Sequence, residues 1–123
     1  MIAKIRILFD RIWFKILLNK NHLIVINDSH RGIGKTTMLI KRSMKHNAPI
    51  VVGNQNHWNL IKDIEINTQV YRLAENFTID FKGKSFPNGV LIDESIDKKM
   101  IDWIKDNNIE IRGGFVYGGK NEK

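Results

Sequence analysis

Two short segments of this sequence concentrate the residue types that handle phosphate and a divalent cation. The first is the run Ser29-His30-Arg31-Gly32-Ile33-Gly34-Lys35-Thr36-Thr37. Gly34, Lys35 and Thr36 fit the end of the phosphate-binding pattern G-x-x-x-x-G-K-[ST], and Ser29 stands where that pattern has its first Gly. The physical logic survives the change. The N–H groups of such a loop form an anion nest, Gly32 and Gly34 let the backbone approach closely, and a helix opening near Lys35 aims its positive end at the same point. Lys35 supplies a mobile cation for β- and γ-phosphates. The Thr36 hydroxyl suits magnesium, a hard ion that keeps several of its waters. The second segment is Val90-Leu91-Ile92-Asp93-Glu94, an apolar run ending in two acids, with Asp93 58 positions beyond Lys35. Asp93 is expected to hold a magnesium-bound water beside Thr36. Glu94, one residue on, is expected to orient a water attacking the γ-phosphate. Alone, the first segment reads as a glycine-rich turn and the second as a solvated strand end; each gains its meaning from the other.

These groups meet only if the elements carrying them are arranged correctly. Leu23-Ile24-Val25-Ile26 reads as a short strand buried on both faces, immediately before the loop, and a helix is expected over 35–45. Ile50-Val51-Val52 follows Pro49 as a second buried strand. A helix over 54–63 and a short strand over 70–73 come next. The polar stretch 76–89 reads as a hairpin or loop excursion. Val90-Leu91-Ile92 is a buried strand, 97–107 a helix with Asp97 as its cap, and Phe115-Val116-Tyr117 a last strand before a frayed tail. Strand and helix alternate, which predicts an α/β fold: a mainly parallel sheet with helices on both faces. The expected organisation is a basic amphipathic helical unit at 1–21, a core at 22–119 and a tail at 120–123.

In residues 2–18, Ile2, Ile5, Phe9, Ile12 and Ile16 recur at helical spacing, with Lys4, Arg11 and Lys15 together on another side. Three readings stand: a helix packed on the sheet, an oligomer contact, or a basic helix lying on a membrane surface. Charges interrupt the run too often for a membrane span, and it lacks the small-residue cleavage site of a secretory signal. The chain has 123 residues, a fit for one domain, and no Cys, which excludes disulfides and suits a reducing, cytoplasmic compartment. The four His show no metal-ligand spacing and read as ordinary surface or loop residues. Lys and Arg number 20 against 13 Asp and Glu, a net charge of +7 that favours an anionic partner such as nucleic acid.

The paired segments resemble the additional-strand P-loop ATPases, in which a catalytic Glu follows the metal-side Asp. Within that group they look most like the ATPase core of phage terminase large subunits, the DNA-packaging motors. Those loops often lack the first Gly and carry an Arg, as the run with Ser29 and Arg31 does, and their acidic motif often reads as Leu91 to Glu94 does here. The resemblance covers roughly residues 22–119. It implies a minimal P-loop fold that binds ATP with magnesium, with Lys35 and Thr36 on phosphate and metal, Asp93 on the metal, Glu94 as catalytic acid and Arg31 near the γ-phosphate. It also implies hydrolysis coupled to viral DNA handling, in the host cytoplasm, by a self-associating or docking subunit. Arg112 is a further candidate, acting in trans on a neighbour. A non-catalytic nucleotide-binding module and a small nucleoside or nucleotide kinase are the alternatives, the kinase less favoured because a water-orienting Glu suits hydrolysis.

Overall fold

A computed structural model gives the structure of residues 12–18, 20, 23–26, 34–73 and 86–117. Among these described residues the chain runs α1 (12–18), β1 (Leu23–Ile26), α2 (Lys35–His46), β2 (Ile50–Val52), α3 (Gln55–Ile64), β3 (Val70–Arg72), β4 (Val90–Ile92), α4 (Lys98–Asp106) and β5 (Ile111–Tyr117). The five strands form one sheet in the order β1-β5-β4-β2-β3, and every pair is parallel. All carboxyl ends therefore lie along one edge, where an open parallel sheet gathers its ligand-binding loops.

Period-two alternation sends the central strands' side chains to two separate cores. Ile50 and Val52 of β2, Leu91 of β4 and Phe115 of β5 join Phe14 and Leu18 of α1, Met38, Leu39 and Ile40 of α2, and Ile61 of α3. Val51, Val90 and Ile92 face the other way, onto Ile96 and onto Ile101 and Ile104 of α4. The six residues of β2 and β4 are at most 1% exposed. Each such side chain contributes about 1.5–3 kcal/mol of burial, so these two short strands hold the centre. The Phe14 and Phe115 rings lie 5.4 Å apart at a tilt, which seats α1 over β5.

Local signals set the helix ends. Asn54 accepts from the His57 N–H at 2.9 Å and Asp97 from the Met100 N–H at 2.9 Å, so each caps its helix, Asp97 as expected. Asn47 closes α2 in the left-handed region at φ 54°.

Two expectations need correction. Val25 is 69% exposed, so β1 is buried on one face only; it is an edge strand and pairs among the described residues with β5 alone. The last strand begins at Ile111, four positions before the expected Phe115, because Gly113 and Gly114 lie inside it. Residues 2–11 of the N-terminal helix, the 76–85 part of the excursion and the tail from 118 lie outside the described residues; 86–89 form a turn closed by the Gly89 N–H on the Phe86 carbonyl. No helix among the described residues is long and apolar enough to cross a membrane.

Gly114 is what lets β5 lie against β4. It pairs with Ile92 at a register shift, has φ +140°, and a Cβ there would stand 2.1 Å from the Ile92 carbonyl oxygen. Both the conformation and the contact exclude a side chain. Gly114→Ala is therefore expected to destabilise the fold by about 3 kcal/mol or more. Urea denaturation measures this, and a loss within 1 kcal/mol (roughly the scale of ordinary substitutions) would contradict the close strand contact.

Candidate functional site

The parallel sheet brings the two chemistry-bearing segments to the same edge. β1 runs into the loop that precedes α2, and β4 runs directly into Asp93 and Glu94. Gly34 caps α2 at φ 86° and ψ 31°, a left-handed conformation that favours glycine. α2 starts at Lys35, whose ammonium stands 3.8 Å from Glu94 Oε1. That ion pair joins the two segments across the width of β5. The Lys35 side chain is 14% exposed and that of Glu94 35%. Thr36 is half-buried in the same first turn and Thr37 is exposed. Ser29, His30, Arg31, Gly32 and Ile33 lie outside the described residues.

Asp93 is almost fully buried, and its carboxylate is held by three donors on one oxygen. Oδ2 accepts from the Ser95 N–H at 3.0 Å, from the Ser95 hydroxyl at 2.8 Å and from His57 Nδ1 at 2.7 Å. Ser95 Oγ in turn accepts the Gly53 N–H at 2.7 Å, tying the end of β2 to the end of β4. A Cβ at Gly53 would stand 2.3 Å from the Ser95 carbonyl oxygen, so these two loops pack backbone to backbone. His57 is oriented from both sides: its N–H bonds the Asn54 cap and its ring reaches Asp93.

The charges follow from these contacts. Burial is the strongest single influence on Asp93 and pushes its carboxyl up; the hydrogen bond and charge of His57, with two bonds from Ser95, outweigh it and leave the group below its usual 3.8. The bond to Asp93 raises His57 above its usual 6.5; partial burial opposes this, and the charges of Asp93 and Glu94 add to it. Both shifts favour an imidazolium on a carboxylate.

His57 corrects the reading of all four His as ordinary surface or loop residues. Its place beside Asp93 depends on β2 and β4 being neighbours, and no residue spacing announces that. The structure does not bring Arg112 to this edge. It lies near the amino end of β5, paired in register at the level of β4's first residues, with its Nε 3.2 Å from Glu110. Asp93 and Glu94 bring carboxylate oxygens to this edge and Ser95 a hydroxyl, with Thr36 on the first turn of α2; among the described residues no group of three or more His, Cys, Asp or Glu side chains could hold a metal.

No protein-family model, no curated protein and no solved structure matches this chain.

The ion pair has a pH signature. A raised His57 stabilises the fold fully below 6.5 and loses that contribution as pH climbs through its higher folded-state value. A depressed Asp93 stabilises above 3.8 and loses its contribution as pH falls through its lower folded-state value. The stability gap between the native chain and His57→Ala is expected to be widest between these limits and to shrink on either side. Thermal unfolding of both proteins across that range measures it; a gap that does not change with pH would remove the imidazolium–carboxylate assignment.

Proposed function

We propose that the chain is a magnesium-dependent nucleoside-triphosphatase of the P-loop kind, with ATP as its substrate. The observation that carries this reading is the 3.8 Å pair between Lys35, on the first turn of a helix behind a left-handed glycine, and Glu94, at the end of a separate parallel strand. Cations at a helix N-terminus oppose the helix dipole unless an anion is present. Glu94 is that anion here, and phosphates are a stronger one.

In this reading the phosphates displace Glu94 from Lys35. Lys35 then neutralises the β- and γ-phosphates, and the freed Glu94 carboxylate turns to the water that attacks in line. The first N–H groups of α2 receive the phosphate charge. A magnesium ion held here would supply positive charge to offset that of the phosphates. Thr36 would hold it directly and Asp93 through water. The donor set fits, because hydroxyl and carboxylate oxygens are what magnesium takes, and a carboxylate offers about four acceptor sites of which three bonds on Oδ2 use part. Arg31, from the loop, would add charge at the γ-phosphate.

The strand order lends support. β5 is interposed between β1 and β4, so the phosphate segment and the acidic segment sit on strands separated by one additional strand. The resemblance to DNA-packaging ATPases, together with the +7 charge, extends the proposal to hydrolysis coupled to DNA handling by a self-associating or docked chain. One observation favours a non-hydrolysing nucleotide-binding module instead: the Asp93 carboxylate is already engaged by His57 and Ser95, which leaves it fewer acceptor sites for a metal-bound water.

Two measurements test the reading. Lys35→Ala is expected to abolish magnesium-ATP binding by calorimetry with circular dichroism unchanged; unaltered affinity would refute the placement of the phosphates. Glu94→Gln is expected to keep ATP binding and to lower phosphate release by about 100-fold or more. Background release by the native chain, with DNA present, would leave the binding module as the function.

A further inference from the structure

A second cluster of cations lies on different residues. α1 and α2 pack side by side on the sheet and leave an open groove of about 190 Å³ between them, lined by Lys15, Leu18, Met38, Lys41, Arg42 and Lys45. Four of the six lining residues are basic and none is acidic. On α2, positions 38, 41, 42 and 45 share one face by helical spacing. Lys15 stands on the opposite wall. The floor is apolar: Leu18 is 3% exposed and Met38 7%. No ion pair among the described residues engages Lys15, Lys41 or Lys45.

The positive potential reaches beyond the groove. Burial and then the charge of Arg112 hold Arg42 below its usual range. His46, at the same end of α2, is lowered first by desolvation and then by Arg42, Lys45 and Arg112. Arg42, Lys45, His46 and Arg112 thus lie near enough to act on one another, with Glu110 beside Arg112. α2 points its amino end at the candidate phosphate site, so Arg42, Lys45 and Arg112 gather toward the other edge of the sheet.

We infer that the groove between α1 and α2 binds the sugar–phosphate backbone of a nucleic-acid strand, with Lys15 on one wall and Lys41, Arg42 and Lys45 on the other. The groove itself is recessed: Leu18 and Met38 form its floor and the cations its rims, a channel that cradles a polyanionic strand between its walls. Lys41 and Lys45 lie about one turn apart on the helix, about 6 Å at ~1.5 Å per residue, so both cations face the same side of the groove. The inference names the partner surface for the DNA coupling proposed above, but it uses none of the residues assigned to ATP. Its test contains no nucleotide, so either reading can fail alone.

Fluorescence anisotropy with a labelled 20-nucleotide single strand and a 20-base-pair duplex (lengths of about two helical turns) measures the binding. The native chain is expected to bind, and Lys41→Glu with Lys45→Glu to weaken binding by at least tenfold. The slope of log affinity against log salt should fall by about 1.5, since each lost phosphate contact removes ~0.7 to ~0.9. Lys98→Glu with Lys99→Glu changes the net charge equally on exposed positions of α4 and is expected to retain most of the affinity. The neutral pair Lys41→Gln with Lys45→Gln, checked by circular dichroism, guards against misfolding and should lower the slope in the same direction. Equal losses from the α4 and α2 charge reversals would overturn the site, as would no binding to either oligonucleotide at low salt. Binding of the native chain to phosphatidylserine vesicles but to neither oligonucleotide would also overturn it.

Discussion

A carboxylate taken out of water stays ionised only if donors replace the water, and the carboxyl edge of this sheet is organised around that requirement at Asp93. Its side chain is 5% exposed. Three donors converge on it, and each comes with a structural commitment. Ser95 must follow β4 in a tight turn, Gly53 must lack a side chain so that Ser95 can close on it, and Asn54 must cap α3 so that the imidazole of His57 reaches in. Removing one partner of such a pair leaves a buried charge uncompensated, which costs more than the pair itself contributes. The ends of β2 and β4 and the start of α3 are thereby locked into one unit.

Against that fixed unit, the other half of the edge is adjustable. Glu94 carries more exposure than its neighbour and touches Lys35 at ion-pair distance without a hydrogen bond short enough to lock it. Adjacent acids on one strand end therefore differ in kind: Asp93 is held by its surroundings, while Glu94 can exchange partners. α2 connects this adjustable half to the basic groove, since Lys35 opens the helix and Lys45 lies in its last turn. Along α2, at ~1.5 Å per residue, Lys41 lies about 9 Å and Lys45 about 15 Å from Lys35, which sets the separation between the two groups of cations.

Much of this was legible in the residues and some was not. The buried runs Ile50-Val51-Val52 and Val90-Leu91-Ile92 read as strands because continuous apolar triplets between turn signals have few other uses in an α/β chain. Asp97 read as a cap from the helical stretch behind it. The start of β5 was hidden because Gly113 and Gly114 carry the signature of a turn, while their actual role is to let one strand approach another. β1 read as fully buried because Leu-Ile-Val-Ile has no polar residue to betray an open face; only its place at the sheet edge exposes Val25. That the two segments come together was expected from their motifs; the Lys35–Glu94 ion pair itself was not. Nor was the contact of His57 with Asp93, since local spacing does not encode which strands become neighbours.

The strand order has a consequence for how the chain acquires its shape. β1 finds its partner among the described residues only in β5, and Leu23 aligns with Gly114, 91 positions later. Ile50 and Leu91, on the β2–β4 pair, are separated by 41 positions. The longer closure adds only about 0.7 kcal/mol of chain entropy, so the difference is one of timing more than of stability. During synthesis the first strand waits for β5 to emerge, whereas β2, β3 and β4 can associate beforehand. High contact order of this kind slows folding. It leaves an apolar ribbon, Leu-Ile-Val-Ile, without its β5 partner until those 91 positions are made, an interval in which such ribbons are prone to aggregate.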